Sequence, residues 1–208
     1  MISDGKGKNY KVTRSREMQM DSFADWELVF DENPDVKIDD VDFLSKYIIS
    51  YEQHRGVTKV RVLDPTTKEA YYIEGLPFGD YVHVVPGANN DYAGGTIRFK
   101  CTSPAHPGIV YEYNLDTRTL KQLRESHLKY FPTANAGLGR EWNPEACKIE
   151  RIMAPNEELE VPVTIIHRVD AIKNGENPLL VYCYGAYGHS VDMDFNDDFA
   201  ILMDHGFV

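Results

Sequence analysis

The sequence predicts a β-rich fold over residues 1–126, followed from residue 147 by a segment in which strands and a helix alternate. Short runs rich in Val, Ile, Tyr and Thr recur every ~8–14 residues through the first part, with polar turns between them. That spacing is typical of a sandwich, a barrel or a propeller. In the second part, the continuous apolar run Leu179–Cys183 is typical of a strand in a sheet that is covered on both faces.

Strands are predicted before residue 126 from β-branched and aromatic enrichment with partial alternation. They are Asn9–Arg14, Phe43–Glu52, Thr58–Leu63, Glu69–Ile73, Tyr81–Val85, Thr96–Thr102 and Ile109–Asn114. A pattern of apolar strand, Asp-x-x-Thr turn and apolar strand occurs twice, at Val60–Tyr72 and Val110–Leu120, with strands that end at Asp64 and Asp116. These two hairpins favour propeller blades, although two weak copies do not establish a repeat.

Residues 127–146 break this rhythm and predict a connector between domains, because the segment is punctuated by Pro and Gly. The third part, residues 147–208, is predicted to begin with strands Cys147–Met153 and Val161–His167 around the turn Ala154–Glu157. Asp197–His205 is predicted to be a helix, since an Asp-rich entry and the exit at Gly206 suit its two ends.

The composition excludes several function classes. The net charge of −11 argues against a nucleic-acid partner, because a phosphate-binding face needs clustered Lys and Arg. The three cysteines, Cys101, Cys147 and Cys183, are widely spaced and predict neither a disulfide framework nor a zinc site. No apolar leader and no run of transmembrane length is present, so we expect a soluble protein of a reducing compartment with no membrane partner.

A serine nucleophile is not predicted within these residues. The nucleophile of an α/β-hydrolase lies in a Gly-x-Ser-x-Gly elbow, where the sharp turn leaves no room for neighbouring side chains. Among the serines only Ser190 has a glycine two residues earlier, Gly188, and Asp192 stands where the second glycine is required. His189 adjoins Ser190, but adjacent side chains rarely reach nucleophile–base geometry. Ser190 is therefore interpreted as a loop hydroxyl.

Metal and phosphate sites are also not predicted. Asp192-x-Asp194-x-Asn196 begins like a calcium loop, but Asp197 and Met203 replace the glycine and the carboxylate that the loop requires. These acids are interpreted instead as the solvated charge at a helix N-terminus. The glycine pairs at Gly5-x-Gly7 and Gly94-Gly95 follow no apolar strand and match no phosphate-binding fingerprint, so turns are predicted there and no cofactor is expected.

The turn at Tyr184 is the candidate functional feature. Tyr182, Tyr184 and Tyr187 surround glycines at the end of the apolar run, as in the loop after the third strand of an α/β-hydrolase, which supplies part of the oxyanion hole. A donor in that loop stabilises the negative oxygen that develops as the acyl carbon becomes tetrahedral. From position alone, packing aromatics are the favoured interpretation of all three tyrosines.

Several segments together resemble the prolyl oligopeptidase family of serine peptidases, and most closely its oligopeptidase B branch. The resemblance is densest from about Lys148 onward and extends upstream through shorter motifs. The segments are Gly7–Tyr10, Glu52–Gly56, Leu115–Thr117, Glu160–Arg168, Asn177–Gly188, Asp192–Phe195 and Asp204–Val208. The resemblance implies a β-propeller over an α/β-hydrolase domain, here a partial propeller followed by the beginning of the hydrolase domain.

The resemblance also implies site residues and partners. Tyr184 corresponds to the family's oxyanion tyrosine, Tyr187 would be a wall of the substrate pocket, and Cys183 departs from the glycine usual between the two tyrosines. The implied activity is hydrolysis of short peptides, after basic residues or Pro, in a cytoplasmic enzyme. No counterpart of the family's Ser, Asp and His triad is expected within these residues, so the chain by itself is predicted to be inactive.

The same reasoning predicts that the remaining part of the peptidase domain is needed for folding, because open strand edges would otherwise remain. One alternative is a non-catalytic β-rich binding or regulatory module derived from the family. Another is an unrelated β-sandwich. The continuation of the reading frame into a Gly-x-Ser-x-Gly segment separates the first two interpretations.

Overall fold

The computed structural model describes residues 9–15, 26–130, 140–156, 159–172, 174–187 and 189–208, and within them strands greatly outnumber helices. The first strands are β1 (Val12–Arg14), β2 (Glu27–Phe30), β3 (Val36–Phe43), β4 (Ile48–His54), β5 (Val57–Leu63), β6 (Ala70–Tyr72), β7 (His83–Pro86), β8 (Thr96–Ser103), β9 (His106–Asn114) and β10 (Thr119–Glu125). They are followed by β11 (Lys129–Tyr130), β12 (Arg140–Glu141), β13 (Cys147–Asn156), β14 (Leu159–Arg168) and helix α1 (Asp197–Asp204).

Two four-stranded antiparallel sheets form the centre of the molecule. Sheet 1 has the order β3-β4-β5-β6 and sheet 2 has the order β7-β8-β9-β10, so that each is a simple meander of consecutive strands. The two-stranded ladder β1–β2 packs beside sheet 1, where Val12 and Phe30 join Ile38 and Ile48 in one apolar cluster. Successive meanders that bury their faces against one another are the arrangement of propeller blades.

The core lies between sheets 1 and 2, because alternate residues of the facing strands are apolar. Strand β5 buries Val60 and Val62 while Lys59 and Arg61 point away, and strand β8 buries Ile97 and Phe99 in the same way. This is the period of two that one buried sheet face requires. The core cluster comprises Leu44, Ile49, Tyr51, Val60, Val62, Ile73, Val82, Val84, Ile97, Phe99, Cys101, Tyr113 and Leu115.

Equivalent turns close the outer hairpins of the two sheets. In sheet 1, Asp64 Oδ1 accepts hydrogen bonds from the amides of Thr66 (2.8 Å) and Thr67 (3.2 Å), and the left-handed Lys68 (φ 65°) leads into β6. In sheet 2, Asn114 Oδ1 accepts from the amide of Thr117 (2.8 Å), and Arg118 (φ 56°) is left-handed. The structural equivalence is therefore Asp64 with Asn114, which is offset by two residues from the Asp64–Asp116 correspondence predicted from the sequence.

Beyond residue 140 the hairpin β13–β14 and helix α1 form a smaller unit. The helix is capped at its N-terminus by Asn196, whose side chain accepts from the amide of Asp198 (2.9 Å), and it ends before Gly206 (φ 81°). Ala200 and Met203 of α1 pack with Trp142. The Trp142 indole also donates to the carbonyl of Ala105 in the turn between β8 and β9 (2.6 Å), which joins this unit to sheet 2.

Most strand predictions agree with the structure, and the helix over Asp197–Asp204 is confirmed. The prediction over Phe43–Glu52 is wrong at its start, because the Leu44 amide bonds the Tyr47 carbonyl (2.9 Å) in a turn between β3 and β4. Strands β2, β3 and β10 were not predicted as separate elements. Charged residues interrupt β3 (Val-Lys-Ile-Asp-Asp-Val-Asp-Phe), and a register shift after Ile38 breaks its alternation.

The prediction of a buried strand at Leu179–Cys183 is wrong for this chain. These residues carry no assigned strand, and the exposed fractions of Leu179, Val181 and Tyr182 are 67%, 72% and 67%. The physical reason is that the described residues leave the side chains of Leu179 and Val181 largely uncovered, although Tyr182 meets Phe199 of helix α1 at its edge. Some predicted features, namely Gly5, Gly7, Lys8, residues 131–139 of the connector, Glu157 and Gly188, lie outside the described residues.

Candidate functional site

The Tyr184 turn lies on the surface of the smaller unit. Tyr184 is 51% exposed, and its ring centroid lies 6.4 Å from that of His189. Tyr187 is 89% exposed and adopts a left-handed backbone (φ 56°), while the amide of His189 bonds the carbonyl of Ala186 (3.1 Å) and closes the turn. The Tyr184 hydroxyl has no hydrogen-bond partner among the described residues. It is therefore available as a donor to a group outside them.

The tyrosine immediately upstream has a packing role. The ring of Tyr182 meets that of Phe199 in helix α1 edge to face, with centroids 6.0 Å apart. Tyr182 is 67% exposed, so this edge contact is its packing interaction within the described residues, and Tyr184 makes a comparable contact with His189.

The segment before the turn makes a short pairing with the end of the chain. The amide of Val208 donates to the carbonyl of Pro178 (3.0 Å), and the amide of Leu180 donates to the carbonyl of Val208 (2.9 Å). Bonds from one residue to the two residues that flank Leu179 are the hydrogen-bond pattern of parallel strands. In the chain, helix α1 comes after the Leu179 segment and before Val208. The three elements therefore follow one another in the order of a βαβ crossover.

Residues 189–194, called the strap below, leave the Tyr184 turn and contact both sheets. Gln53 of β4 donates from Nε2 to Asp192 Oδ1 (3.2 Å), and His83 Nδ1 of β7 lies 3.9 Å from the same oxygen. Thr58 Oγ1 lies 3.4 Å from that His83 nitrogen. The Asp192 side chain is 51% exposed, so each contact is an ordinary surface interaction when taken alone.

Met193 is the buried residue of the strap, at 8% exposed, and its sulfur contacts the guanidinium of Arg151 from β13. Arg151 also donates to the carbonyls of Arg55 (3.3 Å) and Gly56 (3.5 Å). Both residues form the two-residue turn between β4 and β5 with positive φ, 51° and 82°, which is the type I′ geometry. Arg151 therefore links the turn of sheet 1 to the strap.

A cavity of about 210 Å³ lies between the strap and the inner strands of the two sheets. Its walls include Lys37, Asp39, Asp40, Tyr51, Gln53, Thr58, His83, Val84, Val85, Pro86, His189, Ser190 and Asp192. The charged lining carries both signs, so the cavity presents no uniform field to an ion. No group of three or more His, Cys, Asp or Glu suited to a metal is found in the described part of the chain.

Glu52 is a buried acidic residue that was not predicted from the sequence as a site residue. It is 1% exposed, and its carboxylate accepts from Ser50 Oγ (2.7 Å) and Tyr72 OH (2.9 Å), with His54 Nε2 at 3.1 Å. Burial and this carboxylate raise the pKa of Tyr72 to about 12. The available signal was an acidic residue in a predicted strand, with Ser50 and His54 two positions to either side of it.

The structure also locates Ser190 and Asp192, which were considered from the sequence as a nucleophile and as part of a helix N-terminus. Ser190 lies on the wall of the cavity and is exposed, with no geometry of an activated nucleophile in the described residues. Asp192 is not at the helix N-terminus as predicted, since the helix is capped by Asn196 and its first-turn acids are Asp197 and Asp198. Its contacts with Gln53 and His83 depend on residues distant in sequence, so no local pattern could have revealed them.

Sequential four-stranded meanders packed face to face define the class of β-propeller proteins. Residues 1–126 match the family model described as the prolyl oligopeptidase N-terminal beta-propeller domain. The match covers more than half of the chain, and the chain therefore belongs to the prolyl oligopeptidase family of serine peptidases. Sheets 1 and 2 are accordingly two blades of a propeller.

Curated relatives extend this likeness beyond the matched domain. Dipeptidyl aminopeptidase BI of Pseudoxanthomonas mexicana is 25% identical over 194 residues, covering 90% of this chain and 24% of that protein. The prolyl endopeptidase-like protein of Gallus gallus is 23% identical over 220 residues, covering 100% of this chain and 26% of that protein. The chain thus spans about a quarter of the length of these relatives.

Solved structures share the fold. Oligopeptidase B from Trypanosoma brucei, in its closed form with covalently bound antipain, superposes with a TM-score of 0.73 at 17% identity. The alignment covers 88% of this chain and 26% of that one. Oligopeptidase B from Leishmania major gives a TM-score of 0.72 at 18% identity over 88% of this chain and 25% of its own. Within the described ranges, no helix has the length and hydropathy to span a bilayer.

Proposed function

We propose that this chain is part of a serine-type oligopeptidase in which residues 147–208 begin an α/β-hydrolase domain and Tyr184 donates to the oxyanion. The observation that carries the proposal is the pairing of Pro178 and Leu180 with Val208 across helix α1. An open α/β sheet is built from such parallel crossovers, and its ligands bind at the carboxyl ends of the strands. The Tyr184 turn follows the carboxyl end of the Leu179 segment.

The exposed hydroxyl of Tyr184 supports the role of donor. Its partner in the reaction would be the negative oxygen of a tetrahedral intermediate, which exists only when a peptide is bound. Substrates of this proposed enzyme are short peptides cut after basic residues or Pro, with Tyr187 as a wall of the substrate pocket. Membership of a serine peptidase family supports the reaction, which is acyl transfer to water.

The rest of the peptidase domain is the proposed partner of the exposed apolar segment. Leu179, Val181 and Ile172 are 67%, 72% and 75% exposed, which is unusual for large aliphatic side chains that lie close together in sequence. Neighbouring strands of the hydrolase sheet would cover them. All three cysteines are free, which supports a cytoplasmic location, where thiols stay reduced.

The test uses the complete gene product that contains this chain. We expect it to react with a fluorophosphonate probe for active serines and to hydrolyse short peptides. Tyr184→Phe should lower kcat about 100- to 1000-fold with little change in KM, because the lost donor acts on the transition state. Tyr182→Phe is the matched control, since the ring of Tyr182 packs on Phe199 and should keep kcat within about twofold.

A gene product that neither reacts with the probe nor cleaves peptides would overturn the proposal and favour the non-catalytic binding module. An active enzyme in which Tyr184→Phe and Tyr182→Phe behave alike would remove the oxyanion role from Tyr184 while leaving the peptidase activity.

A further inference from the structure

The strap at residues 189–194 is held from two sides by residues of the propeller and of hairpin β13–β14. On one side Asp192 receives a hydrogen bond from Gln53 of sheet 1 and faces His83 of sheet 2. On the other side the buried Met193 contacts Arg151, which in turn bonds the carbonyls of the β4–β5 turn. Asp192 thus contacts a residue 139 positions earlier in the chain, and Met193 contacts Arg151, 42 positions earlier. Arg151 in turn bonds Arg55, a further 96 positions away.

The strap is also the support of the Tyr184 turn. The backbone of His189, its first residue, bonds to Ala186 and closes the turn, and its ring lies against the ring of Tyr184. Two residues, Ser190 and Val191, separate His189 from the anchored Asp192. A displacement of the strap therefore displaces His189, and with it the surface against which Tyr184 rests.

We propose that Gln53, His83 and Arg151 are positioning residues, which hold the strap through Asp192 and Met193 and thereby fix the Tyr184 hydroxyl. This inference rests on the proposed function, because it assigns Tyr184 a role in catalysis. The propeller would then contribute to the geometry of the oxyanion hole as well as to the enclosure of the site. Catalytic rate is sensitive to such placement, and a shift of about 1 Å can cost about 100-fold.

The anchors differ in kind, which allows them to be tested separately. Asp192 is half exposed, so removing its side chain alone should have a small effect of about two- to fivefold on kcat. Met193 is buried at the junction with Arg151, so Met193→Ala should loosen the strap more strongly. Asp192→Asn keeps the Oδ1 acceptor for Gln53, so its kcat should be almost that of the parent protein.

The first experiment is amide hydrogen exchange of residues 189–194 in the complete gene product. The double variant Asp192→Ala/Met193→Ala should exchange these amides at least about tenfold faster, while the amides of β4 and β5 keep their rates. The matched control is Asp194→Ala/Met153→Ala. Asp194 bonds only its neighbour Phe195 among the described residues, and Met153 is an exposed methionine of β13. Equal exchange in the two double variants would overturn the docking of the strap.

The second experiment measures peptide hydrolysis by the same variants. The double variant should lose about tenfold or more in kcat with KM nearly unchanged, and the loss should shrink to less than twofold in a Tyr184→Phe background. Faster exchange with unchanged kcat would overturn the positioning role while Tyr184→Phe still supports the proposed function. If Tyr184→Phe itself leaves kcat unchanged, both the proposed function of Tyr184 and this inference are wrong.

Discussion

At the scale of single residues, the buried carboxylate of Glu52 organises the polar interior of sheet 1. Ser50 and Tyr72 donate to it, His54 lies at hydrogen-bond distance, and Arg61 Nη1 is 3.8 Å away. A buried charge is costly unless it is paired and hydrogen-bonded, and here each carboxylate oxygen has partners. The cluster therefore favours one arrangement of β4, β5 and β6.

We predict that Glu52→Gln destabilises the gene product by about 1–3 kcal/mol, because the amide keeps the shape of the side chain but removes the charge that its donors face. The shift of the urea midpoint, followed by circular dichroism, measures the effect. The control is Glu112→Gln, which breaks a pair with the 64%-exposed Arg98 and should cost about 0–1 kcal/mol. Equal shifts for the two variants would contradict a special role for the cluster.

The three thiols differ in their surroundings. Burial raises the pKa of Cys101 to about 12. Burial likewise raises the pKa of Cys147 to about 12, against the lowering effect of the nearby Arg168. Cys183 is exposed beside the Tyr184 turn. Only the thiolate is nucleophilic, so protein structure rather than sequence distinguishes the reactivity of these residues.

We predict that one thiol, Cys183, reacts rapidly with Ellman's reagent at pH 8, and that Cys101 and Cys147 react only on unfolding. The sample is the 208-residue chain, in which these are the three cysteines and Cys183 is exposed. Because the folded state keeps both buried thiols protonated, it binds more protons than the unfolded state between about pH 8.5 and 12, and stability falls across that window. Rapid reaction of Cys101 in the native state would contradict the prediction.

At the scale of elements, the strands are held in register by backbone requirements that a few residues meet. Gly108 in β9 has a φ of 127°, which side-chain-bearing residues rarely adopt. A Cβ there would also lie 2.8 Å from Thr102 Cγ2 and 3.1 Å from the carbonyl oxygen of Cys101. The register of β8 and β9 shifts in this region, between Cys101 and Ser103, so the glycine permits a bulge.

We predict that Gly108→Ala destabilises the protein by about 2–4 kcal/mol, since it combines backbone strain with close contacts to side chains of β8 and to the carbonyl oxygen of Cys101. Gly75→Ala separates the two causes, because Gly75 also has a positive φ (75°) but no atom within 4 Å of the added carbon. It should cost about 1 kcal/mol. Thermal unfolding of both variants provides the comparison, and a smaller loss for Gly108→Ala than for Gly75→Ala would refute the steric argument.

The elements also show which parts of the fold the sequence could predict. Strands β5, β8, β9 and β14 are rich in β-branched or aromatic residues, and all four were predicted to within a few residues. Strand β3 was missed because its alternate positions are charged and its pattern shifts after Ile38. Helix α1 was predicted because its Asp-rich entry and the glycine that follows it are local signals.

At the scale of the whole molecule, the chain leaves strand edges and apolar surface uncovered. Sheet 1 and sheet 2 protect one face of each other, but the Leu179 segment and parts of hairpin β13–β14 expose Val161, Val163 and Ile152. Uncovered edges and apolar patches favour association of chains. The stability of these 208 residues by themselves should therefore be low in the second half and higher in the two blades.

We predict that the isolated 208-residue chain unfolds in more than one step, with residues 147–208 losing structure before sheets 1 and 2. Urea unfolding monitored by circular dichroism and by amide exchange tests this expectation, because non-coincident transitions reveal separate units. Under the proposed function, extending the chain with the rest of a peptidase domain should merge the transitions. Sharp two-state unfolding of a soluble, monomeric 208-residue chain would show that the remaining residues are not needed for folding.

The sequence by itself determined the β-rich first part, the position of the helix and the family to which the chain belongs, because alternation, caps and motifs are local patterns along the chain. Only the tertiary structure decided that Glu52 is a buried charge, that Asp192 faces Gln53 and His83, and that Arg151 joins a blade turn to the strap. These contacts connect residues that are close in space only after the blades have packed. Their energies depend on burial and distance, which no local pattern of residues encodes.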